Sequence, residues 1–166
     1  MSNPTRIMRL RDTLKTEFEG MTTANGYNND FTKVIRALVD PSGIKVPLHL
    51  GFVIGRRITE KLNDKITIFT KAAEVTVQVV KQLPKKGSEE NIDADDAQEL
   101  VINDVERKVS SFMTSYINDT VNPWNVSFDN ETFTSYPMIT TDRDEQKLVI
   151  IFTFNVKLRR LKGITD

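Results

Sequence analysis

The chain has 166 residues, no cysteine, and acidic and basic side chains in equal number, 23 of each. This length fits one domain that buries its own core, and the lack of cysteine excludes disulfides and thiolate metal sites. The balanced charge argues against a free-standing nucleic-acid binder, which normally carries a basic excess. No apolar run approaches the ~20 residues of a membrane span, and no signal-peptide pattern opens the chain, so we expect a protein made and kept in a cytoplasm.

The first predicted element is an amphipathic helix that has Pro4 in its first turn and ends near Gly20. Its apolar side chains recur at helical spacing, at Ile7, Leu10, Leu14 and Phe18. A polar segment from Gly20 to Asn29 follows, and Asn25-Gly26 is its strongest turn signal. We expect this loop to be exposed in the free chain and ordered in part by partner proteins.

Two strands are predicted next. The first spans 31–39; a short helix would also fit its apolar spacing, but β-branched residues and the turn Asp40-Pro41-Ser42-Gly43 favour a strand. The second spans 46–54, where Gly51 and Gly55 permit a bulge or bend.

The third predicted strand spans 65–82, and its apolar residues change parity part-way. Because one residue of phase slip turns a side chain to the other face of a sheet, we expect a bulge near Thr70 to Ala73. The charged segment from Leu83 to Asp93 is interpreted as a second exposed loop that partners order in part.

A second helix is predicted to start at Asp93, which can cap backbone N–H groups, while Asp95 and Asp96 lie where the helix dipole favours negative charge. Its apolar stripe runs to about Asn118 and makes it the longest helix of the chain. A calcium-binding interpretation of these acids fails, because the ligand and glycine positions of an EF-hand loop are missing.

The last part of the chain predicts two strands. The first runs from Trp124 to about Thr141, is interrupted at Tyr136-Pro137, and ends in a polar turn from Asp142 to Glu145. The second, Lys147 to Leu158, alternates strictly, with one face formed by Leu148, Ile150, Phe152, Phe154, Val156 and Leu158. Its first third is apolar on both faces, so we expect a helix or a neighbouring subunit to cover the other face there.

The order helix, three strands, helix, two strands predicts an α+β domain over residues 1–166. A mainly antiparallel sheet of about five strands is expected, covered by two helices. Patterns for catalysis are nearly absent. His49, the only histidine, stands in the apolar strand PLHLGFVI and is interpreted as structural or pore-facing rather than catalytic. We therefore predict no enzyme, no cofactor and no metal site.

Two segments carry opposite charge. Acids concentrate around the start of the second helix, at Asp93, Asp95 and Asp96, and bases concentrate at the end of the last strand, at Lys157, Arg159 and Arg160. These segments are either two solvated ends of one domain or the two sides of a head-to-tail contact between identical subunits. A contact of the second kind is how a heterologous interface closes into a ring.

The chain resembles the tail terminator proteins of long-tailed bacteriophages. The resemblance rests on the order of elements and on five segments: TRIMRLRDTLKTEFEGM, TTANGYNNDF, VPLHLGFVIG, DADDAQELVINDVERKVSSFM and LVIIFTFNVKLRRLKG. It spans most of the chain, and the acidic helix start that leads to Asp-Val-Glu-Arg is its most suggestive part. The family has no invariant chemical signature.

The resemblance implies a structural virion protein, assembled in the bacterial cytoplasm. Such a protein forms a hexameric ring on the head-proximal end of the tail tube, stops polymerisation of the tube protein and presents a surface to the neck or connector protein. DNA passes through as cargo, which a balanced charge suits, and no membrane is involved. The alternatives are another head-tail connector or neck ring protein and a small ligand-binding or enzymatic α+β domain.

Overall fold

The computed structural model describes residues 6–60, 68–84, 94–116, 124–142 and 145–161. Besides two short 3-10 turns, these ranges form two α-helices and five strands: α1 Arg6–Glu19, β1 Lys33–Ile35, β2 Leu48–Glu60, β3 Ile68–Gln82, α2 Ala94–Tyr116, β4 Trp124–Asp142 and β5 Glu145–Leu161. The predicted order of elements and the α+β class are confirmed. Neither described helix is long and apolar enough to cross a membrane.

The strands form one sheet in the order β1-β2-β3-β5-β4. The short β1 runs parallel to β2, and every other neighbouring pair is antiparallel. The last strand of the sequence, β5, is flanked on both sides, by β3 and by β4, as its apolar character indicates. Among the described strands, the edges of the sheet are therefore β4 on one side and β1 with β2 on the other.

Both helices cover the same face of the sheet, which we call the first face. There α1 packs on β1 and β2, and α2 packs on β4 and β5. The alternating residues predicted for the last strand are buried on this face as far as Val156, and fully burying such a side chain stabilises the fold by ~1.5–3 kcal/mol. The core also includes Leu10, Leu14, Phe18, Leu48, Leu50, Phe52, Val75, Val77, Val79, Ala97, Val101, Val105 and Val109.

The second face is covered in part by the chain itself. Residues 36–46, which we call the strap, connect β1 to β2 and place Ile44 against Val80 and Val149. The expectation that the second face is covered there is confirmed at Val149, which is buried, but the covering element is the strap and not a helix or a neighbouring subunit. The predicted strand over 31–39 is also shortened to Lys33–Ile35, because the chain leaves the sheet at that point to form the strap.

Two predicted irregularities lie elsewhere in the sheet. The bulge expected near Thr70 to Ala73 is absent, since β3 pairs with β5 without a register shift. Towards its C-terminal end β3 is buried on both faces, because Val75, Val77 and Val79 lie in the core of the first face and Val80 lies under the strap. A register shift is found instead in the pairing of β2 with β3. It lies in β2 between Ile54 and Arg57, at Gly55, where a bulge or bend was expected.

The second misplaced irregularity is in β4. The interruption predicted at Tyr136-Pro137 is wrong, because both residues pair with β5. A proline is tolerated there because β4 is an edge strand. The register shift of this strand lies between Asp129 and Thr134 instead.

Candidate functional site

The acidic group of the predicted subunit contact lies at the start of α2. Asp95 and Asp96 occupy the first turn of the helix, and both are exposed. Asp93 lies outside the described residues. The helix begins at Ala94, so acids stand where the positive end of the helix dipole favours them, as predicted.

The basic group lies in the part of β5 that is farthest from the β4–β5 turn. Its backbone is flanked by two strands: Lys157 pairs with Ala72 and Ser127, Arg159 with Thr70 and Asn125, and Arg160 with Phe69 and Trp124. The strand continues to Leu161, three residues beyond the predicted end at Leu158. The structure describes the backbone of these three basic residues and not their side chains, so their contact with the acidic group stays a prediction.

His49 is an isolated histidine on the second face. It is 3% exposed, pairs in the sheet with Lys33 and Val80, and its buried Nδ1 atom has no hydrogen-bond partner within the described part of the chain. Burial, and secondly the positive charge of Lys33, lower the pKa of His49. Among the described residues no group of three or more His, Cys, Asp or Glu could hold a metal ion.

Asp104 of α2 forms a polar centre that sequence reasoning missed. It is 1% exposed, and its carboxylate accepts hydrogen bonds from the backbone N–H groups of Asn28 and Asn29 at 2.9 and 3.0 Å. The side-chain amides of the same two residues each donate a further bond of 2.8 Å. Lys81 of β3 completes the centre by donating to Oδ1 of Asn29 at 2.5 Å. Burial lowers the pKa of Lys81, and the charge of Asp104 raises it in part.

Further contacts attach the same loop to α2. Arg107 donates to the carbonyl oxygen of Gly26, a residue with φ of 82° in the predicted Asn25-Gly26 turn, and lies over the ring of Tyr27. Lys108 forms an ion pair of 2.9 Å with Glu17 of α1. The loop from Gly20 to Asn29 is therefore attached to α2 by contacts within its own chain, and residues 23–26 are exposed as expected. That partner proteins order the loop further stays a prediction.

The strap is fastened to the second face at three places. The carbonyl oxygen of Ala37 lies so close to Gly51 that a Cβ there would be 2.2 Å away from it. The backbone N–H of Val39 donates to Oε1 of Gln78. The buried ammonium of Lys147 donates to the carbonyl oxygens of Pro41, Ser42 and Ile44 at 3.0, 3.3 and 3.0 Å.

The outer strand β4 exposes three large apolar side chains. Tyr136, Met138 and Ile139 are 67%, 40% and 52% exposed, and we call them the β4 edge patch. Tyr136 and Met138 lie on the second face, where they pair with Ile151 and Val149, and Ile139 lies on the first face, where it pairs with Leu148. By contrast, Phe133 of the same strand packs against Phe152 and Phe154, as expected of a core aromatic residue. Because β4 ends the sheet, the patch lies beside an edge that has no further strand in the described part of the chain.

Comparison with models of known protein families finds no match to the chain, and no curated protein matches it.

Proposed function

We propose that the protein is a structural subunit that forms a ring at the head-proximal end of a phage tail tube, where it stops tube polymerisation and presents a docking surface to the neck. The observation that carries this proposal is the β4 edge patch, which lies on an open edge of the sheet. Exposed apolar groups beside an open strand edge mark sites of protein–protein contact.

The two edges of the sheet differ, which favours a head-to-tail contact over a symmetric dimer. On one side stands the long β4 with its edge patch. On the other side, β1 pairs only with His49 to Gly51, so the outer edge of β2 beyond Gly51 has no strand partner among the described residues. A contact between two different surfaces repeats from subunit to subunit and closes when its rotation permits a ring.

Charge supplies a second contact in this proposal. The acidic group Asp93, Asp95 and Asp96 of one subunit faces the basic group Lys157, Arg159 and Arg160 of the next. An exposed ion pair contributes only ~0–1 kcal/mol. These pairs therefore stabilise the assembly appreciably only because they repeat at every subunit contact of a closed ring. The hexameric state, the tube protein and the neck protein as partners, and the virion as location follow from the same proposal.

Electron microscopy of the purified protein mixed with its tube protein tests the proposal. We expect rings that cap the ends of tubes and tubes that no longer elongate. If the rings bind only portal or neck components, the protein is instead a head-tail connector or neck ring protein, as in the alternative above. A protein that stays monomeric with and without tube protein would contradict both, and would favour a small binding domain.

Charge reversal tests the contact between subunits. Changing Arg159 and Arg160 to Glu should weaken ring formation more than folding, and salt should reduce the difference. Changing Asp95 and Asp96 to Lys in the same chain should restore part of the assembly. A matched control reverses Arg9 and Arg11 of α1, which changes the net charge equally and should leave assembly intact. Normal assembly of the Arg159 and Arg160 variant at low salt would rule out this contact.

A further inference from the structure

The two outer edges of the sheet can be compared level by level, because its strands pair in an unbroken order. A level is a row of paired residues that runs across β2, β3, β5 and β4. Val34 of β1 and Pro137 of β4 lie at one level, in a row that passes through Leu50, Val79 and Ile150. Residues 57–60 of β2 lie at the same levels as residues 125–128 of β4. The two edges offer different things to a further strand at these two places.

At the level of Pro137 both edges are poorly suited to a further strand. Proline has no backbone N–H. Because Pro137 pairs with Ile150 within the sheet, the donor that it lacks is the one that would point away from β5. On the other edge, β1 spans only Lys33–Ile35 before the chain leaves the sheet as the strap. Prolines and very short edge strands are features by which natural sheets avoid unwanted edge pairing.

At the levels of residues 57–60 and 125–128 both edges are open. β1 pairs with β2 only from His49 to Gly51, so residues 57–60 have β3 on one side and no strand on the other among those that the structure describes. Residues 125–128 have β5 on one side and likewise no described strand on the other. Neither segment contains a proline or a register shift. An edge of this kind presents unpaired backbone donors and acceptors that can pair with another chain.

The directions of the strands fit these two edges to each other. Each neighbouring pair among β2, β3, β5 and β4 is antiparallel, so β2 and β4 run in opposite directions. When a second copy stands beside the first in the same orientation, its β4 is therefore antiparallel to the β2 of the first copy. An antiparallel ladder is slightly more stable per residue than a parallel one. The second copy leaves its own β2 edge open for a third, which is the repeating contact that a ring requires.

The charged residues beside the two open segments have opposite sign. Arg56 and Arg57 stand in β2 at its register shift, and Asp129 and Glu131 stand in β4 at the register shift of that strand. Opposite charges on adjacent strands stabilise a sheet, whereas like charges directly opposite each other destabilise it. Pairing of β2 with the β4 of a second copy therefore brings opposite charges together. Pairing of the same segment from two copies would bring like charges together.

We propose that β4 of one subunit adds to the edge of β2 of the next, with residues 125–128 antiparallel to residues 57–60. The subunits then share one continuous sheet. This inference rests on the proposed ring, and it names what the β4 edge pairs with there: a second copy of this chain.

The β4 edge patch lies at the level where the next subunit carries its strap. Tyr136 is in the row of Gly51, and the carbonyl group of Ala37 lies against Gly51 on the second face. The adjacent Leu38 is 41% exposed. Strand pairing between subunits therefore brings Tyr136, which is on the second face as well, towards an apolar side chain of the strap. Apolar packing at this level does not need the backbone donor that Pro137 lacks.

Cysteine cross-linking tests this pairing, because the chain has no cysteine of its own. Ile58 and Ser127 lie at one level, and within one subunit β3 and β5 keep them roughly 14 Å apart, too far for a disulfide. We expect the oxidised chain with Ile58→Cys and Ser127→Cys to form a ladder of covalent multimers on a non-reducing denaturing gel. The control combines Ile58→Cys with Ser110→Cys, at an exposed position of α2, and should give at least about fivefold less cross-linked product.

Mixing the two single-cysteine chains separates a head-to-tail contact from a symmetric one. Covalent dimers should form in the mixture of Ile58→Cys with Ser127→Cys and in neither chain alone. Dimers from Ser127→Cys alone would show that two β4 edges pair with each other, and would overturn the proposal. Since a shift of two residues keeps a cysteine on the same face, Asn125→Cys and Asp129→Cys test the neighbouring registers.

Charge exchange gives a second, independent measurement. Changing Asp129 and Glu131 to Arg should weaken self-association in sedimentation velocity, because arginines then face Arg56 and Arg57 of the next subunit. Changing Arg56 and Arg57 to Glu in the same chain should restore part of it. Normal assembly of the Asp129 and Glu131 variant at low salt would overturn the proposal, and this result decides if a cysteine variant fails to fold.

The cross-linking result also separates this proposal from the proposed function. Rings may cap the tube ends while Ile58→Cys gives no cross-link with a cysteine at position 125, 127 or 129. That result would overturn the strand pairing and leave tail termination standing. A chain that stays monomeric with and without tube protein would overturn both.

Discussion

Asp104 and Asn29 are 75 residues apart in the sequence and are joined by two hydrogen bonds, one from the backbone N–H and one from the side-chain amide of Asn29. The same asparagine accepts a hydrogen bond from Lys81. This relationship ties helix α2, the loop before β1 and the end of strand β3 into one unit. This polar network adds to the apolar packing of α2 against the sheet.

Replacing Asp104 by Ala should destabilise the fold by about 2–4 kcal/mol, because it leaves the backbone N–H and the amide of the buried Asn29, and those of the exposed Asn28, without their acceptor. Urea denaturation measures the free energy of unfolding. The matched control is Asp96→Ala, an exposed acid on the same helix, for which we expect a loss of ~0.3–1 kcal/mol from the helix dipole. If the two variants lose the same free energy of unfolding, the hydrogen bonds of Asp104 do not stabilise the contact between α2, the loop before β1 and β3.

Gly51→Ala should be strongly destabilising, because the new Cβ would lie 2.2 Å from the carbonyl oxygen of Ala37, a backbone atom that cannot move without the strap. We expect a loss of ~2 kcal/mol or more, together with faster amide hydrogen exchange in the strap. Gly43→Ala is the control: it lies in the strap, has nothing within 4 Å of its added Cβ, and should be nearly neutral. A neutral Gly51→Ala would mean that the strap does not lie against β2.

Lys147→Met should release the strap from the sheet. Methionine fills a similar volume but offers no donor to the carbonyl oxygens of Pro41, Ser42 and Ile44, so we expect a loss of about 2–4 kcal/mol. Hydrogen exchange at residues 39–46 should rise by more than exchange in the helices. Lys45→Met, an exposed lysine of the strap, should leave both quantities unchanged. The prediction fails if exchange in the strap stays as slow as in the unmodified chain.

The parts of the fold that could be predicted are those with one apolar face. The strand from Phe152 to Val156 alternates because the helices cover its first face while Thr153 and Asn155 on its second face are only half-buried. The stripe of α2 at Val101 and Val105 repeats because one side of that helix is buried. Patterns of this kind report burial on one side, and they placed the elements in the right order. They mislead in β3, where the change of parity near Thr70 is not accompanied by a register shift against β5.

Contacts between distant polar residues could not be predicted in the same way. Lys147 stands in a strand and has the pattern of a solvated residue, yet its burial depends on carbonyl oxygens of the strap over 100 residues earlier. The burial of Asp104 could have been suspected from the sequence, because it is next to Val105 and three positions after Val101 on the apolar stripe of α2.

The β4 edge patch should matter for assembly and not for folding. Changing Tyr136 and Ile139 to Glu introduces two charges at exposed positions, so we expect the free energy of unfolding to change by less than about 1 kcal/mol while ring formation is lost. Sedimentation velocity compares the oligomeric state of the variants. Thr134→Glu, an exposed position of the same strand without a large apolar side chain, is the control. Rings that form normally in the double variant would move the subunit contact to another surface.

The pKa of His49 predicts a pH dependence with a definite sign. Burial lowers this pKa below its ordinary value of 6.5. Once the pH falls below 6.5, His49 is therefore protonated in the unfolded chain while it is still neutral in the folded chain. The contribution of His49 to the free energy of unfolding should therefore be at its maximum above pH 6.5 and decrease below it, by at most ~1.4 kcal/mol per pH unit, until His49 is protonated in the folded protein as well. Urea denaturation at about pH 7.5 and about pH 5.5 measures this loss, and His49→Phe should remove the part that belongs to the histidine while carboxylates contribute equally to both proteins. An identical pH dependence in the two proteins would show that His49 is as easily protonated in the folded chain as in the unfolded one.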